Sequence, residues 1–262
     1  MGESMMSETA RIWTETAFNI AYLAAIWWLV ITMWRRRVFV SHNDLRTADR
    51  IMWAFAFLGC GDIGHVGFRV ISFAMGGLDV PVAIFGKQVL LMPLGSLSTA
   101  ITFTIFYALL IMAWRERYHK PYGVFGYSLF SLAILRLLIM IHPDNGWQSL
   151  QAVQPWSLYR NLPLMVIQLG LAYLILRDAT AFRDRTFIWI GRLILVSFVC
   201  YAPVIFFQLQ VPQIGMLMIP KTLAYLVMAF LAFFEFYKLT AVSGGKPMTV
   251  TPASFYETHP DV

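Results

Sequence analysis

Polar and apolar positions along this chain fall into blocks. Seven apolar runs, each near the length of a bilayer crossing, are separated by polar connections. They predict helices over Glu15 to Trp34, Ile51 to Met75, Gln88 to Trp114, Gly123 to Ile141, Leu162 to Leu176, Phe187 to Gln208, and Gln213 to Tyr237. The fifth run is short and can extend backward through Trp156 to Asn161. The reading is an all-α polytopic membrane protein with a single seven-helix domain over 1–240. Residues 241–262, polar and rich in Gly, Pro, Ser and Thr, read as a flexible cytoplasmic tail.

Composition agrees and excludes a soluble globular domain. Hydrophobic residues make up 59% of the chain and charged residues 13%, whereas soluble domains carry about 25% charge. The net charge is +6, without a basic block interleaved with aromatics, so nothing points to nucleic acid. Cys60 and Cys200 lie inside apolar runs without metal-ligand spacing, and read as buried free thiols.

The placement of charge predicts topology. Arg35, Arg36, Arg37, Arg46 and Arg50 follow the first run, and Arg115, Arg117 and Lys120 follow the third. Arg177, Arg183, Arg185 and Arg192 follow the fifth, and Lys238 and Lys246 the seventh. The even-numbered connections are nearly free of positive charge. The positive-inside rule then puts the amino terminus outside and the carboxyl terminus in the cytoplasm. "MGESMMSETAR" lacks the basic start of a cleaved signal peptide, so the first helix reads as an uncleaved anchor. The location that follows is a bacterial plasma membrane, in contact with its lipids.

Arg11, Arg69, Lys87, Arg136, Arg160 and Lys221 are the basic residues left over. Arg11 belongs to the amino-terminal tail, and the other five fall in the outer half of the bundle. Asp62, His65 and Arg69 are spaced i, i+3 and i+7, which puts them on one helix face. A charge at the centre of a spanning helix costs roughly 2.5–3.5 kcal/mol, so these residues should face the bundle interior. Gln88, Asn161 and Tyr201 supply neutral polar groups at similar depth, with Asn19, Tyr22, Gln208 and Tyr225. The expected site is an outer-facing polar cavity built from Asp62, His65, Arg69, Lys87, Gln88, Arg136, Arg160, Asn161, Tyr201 and Lys221. Its cations outnumber its acids, which suits an anionic small molecule or lipid. Trp147, Trp156 and Tyr159 stand on the longest outer connection, as an interfacial belt or a lid. Pro203 and Pro220 predict kinks in helices 6 and 7. The small hydroxyl residues of "SLSTAITFT" suit close helix packing, and Gly59, Gly61, Gly64 and Gly67 on helix 2 permit close approach of a neighbour or a ligand.

Three functions remain open on the residues alone. One is a receptor, sensor or carrier for an anionic amphiphile. A second is an intramembrane enzyme acting on a lipid or isoprenoid, with Asp62 and His65 as an acid–base pair. No HExxH or GxSxG motif supports hydrolysis. A third is a structural or partner-subunit role. A sensor built on this chain needs a cytoplasmic partner protein, because it carries no soluble signalling domain. No cofactor is identified.

The strings "GDIGHVGFR", "GKQ", "TIFYALLIMAWRERY", "YRNLP" and "GMLMIPKTLAY" resemble, in order, an uncharacterised family of bacterial seven-helix membrane proteins. That resemblance implies the same topology and no activity. A looser likeness is to microbial rhodopsins, which implies retinal carried on Lys221 of helix 7, with Tyr201 and Pro203 of "CYAPV" near the pocket. This chain departs from that pattern: Leu217 stands where an acid is usual, and helix 3 has no carboxylate in its membrane residues. Asp62 would have to serve as the counter-ion.

Overall fold

A computed structural model describes residues 2–84, 87–150 and 153–238, with side chains from residue 17 onward except at 84, 87 and 212. All seven predicted spans are helices: α1 Gly2–Arg36, α2 Leu45–Ala74, α3 Leu91–Tyr118, α4 Gly123–Ile141, α5 Trp156–Phe182, α6 Arg185–Phe207 and α7 Met218–Phe236. Each contributes a segment long and apolar enough to cross a membrane, so the chain is an integral membrane protein in contact with lipid. The expected tail over 241–262 lies outside the described residues.

Helix α5 is the centre of the bundle. Its most apolar window is 67% buried, against 28% for α4. Leu164, Ile167, Leu171, Leu174, Ile175 and Ala179 repeat at three- and four-residue spacing and all are buried. Elsewhere apolar side chains also face outward, because lipid replaces water as their surroundings. Cys60 illustrates the difference: it is exposed on the bundle surface rather than buried. In a membrane span, an apolar run does not tell the core side from the lipid side.

Helices α2 and α3 pack backbone to backbone. A methyl group on Gly95 would sit 2.9 Å from the His65 Cα and 3.0 Å from the Gly64 carbonyl oxygen. On Gly61 it would collide with Thr102, and on Gly64 it would lie 2.8 Å from the Ser98 hydroxyl. The Thr99 hydroxyl donates to the Gly61 carbonyl at 3.1 Å across the seam. Gly67, also expected to permit close approach of a neighbour or a ligand, has nothing within 4 Å of such a methyl.

Two connections differ from the sequence expectation. The link from α2 to α3 holds an antiparallel hairpin, β1 Val82–Ile84 with β2 Lys87–Val89, registered Val82 to Val89 and Ala83 to Gln88. Helix α3 therefore begins at Leu91, three residues after the expected start at Gln88. Residues Pro212–Leu217 form a 3-10 segment, and α7 starts at Met218. Pro220 thus stands in the first turn of α7, where no intrahelical donor is missed, and it does not interrupt the helix. Pro203 and also Pro163 do lie inside helices, α6 and α5.

At the end opposite the hairpin, ions tie the helices together. Arg117 on α3 donates to Asp44 before α2 (2.8 Å), Asp184 at the N-cap of α6 (2.8 Å) and Glu235 on α7 (3.0 Å). Asp184 also caps the Phe187 amide at 3.1 Å. Asp178 on α5, 1% exposed, accepts from Trp114, Lys120 and Arg177. From the sequence Arg117, Lys120 and Arg177 were a topology signal; in the structure they also tie the helices together at this end.

Candidate functional site

The hairpin end contains a cavity of about 510 Å³ reached by all seven helices. Asp62, His65 and Arg69 line one side from α2, as their spacing on one face requires. Arg136 (α4), Arg160 and Asn161 (α5), Tyr201 (α6) and Lys221 (α7) complete the charged and polar wall. Asn19, Tyr22, Gln208 and Tyr225 line it too. One expected residue is not brought to the wall. Gln88 is exposed on β2, because the hairpin takes up the stretch read as the start of helix 3. Lys87 pairs with Ile84 through the same hairpin, and its side chain lies outside the described residues. Of the three aromatic residues expected to form a lid, Trp147 alone lines the cavity. Trp156 stacks on His142 with ring centres 4.0 Å apart, and Tyr159 packs edge-on to Trp156.

Lys221 and Arg136 are the two buried cations of the wall. Lys221 is 7% exposed, and its ammonium lies over the faces of Tyr201 (4.2 Å), Phe103 (4.5 Å) and Tyr225 (5.9 Å). Rings on α3, α6 and α7 thus solvate the charge through their negative faces. Among the described residues no acceptor stands within hydrogen-bond reach of this nitrogen. Asp62 attracts it electrostatically without forming a direct ion pair, and the Tyr22 hydroxyl is the hydrogen-bond partner of Asp62.

Arg136 is buried differently. Its Nε donates to the Arg160 carbonyl at 2.8 Å, and its Nη1 donates to the Ala100 carbonyl at 2.7 Å and to the Thr104 hydroxyl. One guanidinium therefore pins α4 to both α3 and α5, which a five-donor fork can do and an ammonium cannot. Its partners are neutral, so its charge is not cancelled. Arg160 bridges to the Asn145 backbone and side chain at 3.1 and 3.3 Å and lies 4.2 Å from the centre of the Trp147 ring. The Tyr201 hydroxyl donates to Asn161 at 2.9 Å, tying α6 to α5.

Beneath the cavity lies a polar network that the sequence did not single out as one. The Tyr107 and Tyr225 hydroxyls are 2.7 Å apart, Gln168 donates to Tyr107 at 2.8 Å, and Ser197 donates to Tyr225 at 2.5 Å. Gln168 is fully buried and its Oε1 has no partner among the described residues. A lone amide in the apolar run of α5 was the available signal. Below the network, Phe55, Phe106, Ile111, Leu171, Ile175 and Met228 are buried together, separating it from Arg117 and Asp178. The gap among these layers is about 10 Å³ and lined by apolar side chains, so water finds no hydrogen-bonding partners in it.

No family model, curated protein or solved structure matches this chain. Among the described residues the cavity sets four cations, Arg69, Arg136, Arg160 and Lys221, against one carboxylate, Asp62.

Proposed function

We propose that this integral membrane protein binds an anionic small molecule or lipid in the cavity, as a receptor, sensor or carrier. The carrying observation is Lys221, a buried ammonium at a cavity wall with aromatic faces behind it and no hydrogen-bond acceptor in reach. An anion about 4 Å from it gains about 4 kcal/mol at an effective dielectric near 20. The positive-inside bias supports placing the hairpin end outside the cell, here a bacterial plasma membrane. The same reading takes the chain as a relative of the uncharacterised seven-helix family that "GDIGHVGFR" and "GMLMIPKTLAY" resemble. Native mass spectrometry of the protein taken from its own membrane, beside Lys221→Ala, tests the proposal. A non-covalent anionic adduct that disappears in the variant supports it. A covalent adduct at Lys221 replaces it with the retinal-type reading, and no adduct in either protein leaves the charges as a helix clamp.

His65 gives the enzyme reading one specific support. Its Nδ1 is buried with no partner among the described residues, on the same cavity wall as Asp62. An imidazole and a carboxyl facing one cavity suit proton transfer to a bound lipid or isoprenoid. His65→Gln separates the readings: an enzyme loses turnover, whereas a binder keeps its affinity within a few-fold.

A further inference from the structure

Charge balance in the cavity narrows the class of anion, and this step rests on the anion-binding reading above. Arg136 and Lys221 are 2% and 7% exposed. Arg136 is held by neutral oxygens and Lys221 by aromatic faces, so neither charge is cancelled by its immediate partners. Among the described residues Asp62 is the one carboxylate on the cavity wall. Arg69 and Arg160 are engaged in other interactions and are half-buried, so water reaches and screens them, whereas Arg136 and Lys221 are buried. Among the described residues, the buried cations Arg136 and Lys221 thus face a single carboxylate, two positive charges against one negative. An uncompensated charge out of water is costly, so one further negative charge completes the balance and a second would overshoot it.

We infer that the ligand places a monoanionic head, a carboxylate or a phosphodiester, between Lys221, Arg136 and Asp62. The remainder of the molecule lies along the apolar part of the wall, where Phe18, Val204, Met216, Met218 and Ile219 come from α1, α6, the 3-10 segment and α7. A cavity of about 510 Å³ is far larger than the head alone requires. A phosphate monoester, a dianion at neutral pH, is disfavoured by the same count.

Four eight-carbon probes test this: octanoate, methyl octyl phosphate, octyl phosphate and octanol. Binding is measured by calorimetry at about pH 7.5 on protein in phosphatidylcholine nanodiscs. One of the two monoanions is expected to bind about tenfold or more tighter than octanol, with octyl phosphate no tighter than that monoanion. Whichever monoanion leads tells a free acid from a phospholipid head. Lys221→Gln should abolish the preference over octanol and Lys221→Arg should retain it, which separates loss of charge from loss of fold. Asp62→Asn should reverse the order, bringing octyl phosphate ahead by about tenfold. A wild-type protein that prefers octyl phosphate about tenfold over both monoanions overturns the monoanion assignment and leaves the anion site standing. An unchanged order in Asp62→Asn also overturns the assignment. Equal binding of octanol and every anion overturns the anion site itself.

Discussion

Arg136 and Lys221 are both cations buried in a membrane bundle, yet the fold treats them in opposite ways. Arg136 is a structural fork whose donors are spent on α3 and α5. Arg136→Lys keeps the charge and cannot reach the same acceptors, so unfolding in mixed micelles should show a loss of about 1–3 kcal/mol. Among the described residues Lys221 makes no hydrogen bond and stabilises no partner helix by one. Lys221→Met, similar in shape and uncharged, should leave stability unchanged or raise it by about 1–4 kcal/mol while anion affinity falls. A drop in stability in that variant would mark Lys221 as a clamp. Both cations were legible in the sequence because each interrupts an apolar run that lipid would otherwise tolerate. Their partners were not legible. Backbone carbonyls carry no sequence signature, and Phe103, Tyr201 and Tyr225 converge only when three distant helices pack.

At the scale of elements, α2 and α3 form the tightest seam, and its tolerance is uneven. Gly95 meets backbone atoms of α2, which cannot move aside, whereas Gly67 meets nothing. Gly95→Val should lower stability by about 1–3 kcal/mol by overpacking. Gly67→Ala should be neutral or slightly stabilising, since it relieves the conformational cost of glycine in a helix. Thermal unfolding of the two variants in the same detergent checks the contrast, and equal losses would contradict it. Glycines and small hydroxyl residues signalled close approach in the sequence, but their spacing showed neither which helices meet nor which glycine touches a neighbour. The hairpin was missed for a related reason. Its three-residue strands are too short for a period to register, and "KQV" runs directly into the apolar start of α3. Gln88 and Lys87 therefore looked like the first turn of a helix. Pro220 misled in the same way, since a proline inside an apolar run reads as a kink unless the true helix start is known.

At the scale of the molecule, the two ends of the bundle are built differently. One end holds the cavity reached by all seven helices, and the other is tied by Arg117 with its three acids and by Asp178 with its donors, beside an open surface hollow of about 540 Å³ lined by Arg117, Asp184 and Glu235. Their orientation has a direct test. In a background with Cys60 and Cys200 replaced by alanine, Asp79→Cys near the hairpin and His42→Cys between α1 and α2 are treated in intact cells with a membrane-impermeant thiol reagent. Both positions are exposed in the structure. Labelling at 79 and protection at 42 is the expected outcome, and the reverse would invert the topology. The layer of Phe106, Ile111, Leu171 and Met228 beneath Tyr107 and Tyr225 carries a consequence of its own. In this conformation that packed layer stands between the cavity and the ion-paired end, so a solute that enters does not pass straight through the bundle. Its arrival can reach the far end only as a shift in the packing of those side chains. What crosses the bundle in this state is displacement, not matter.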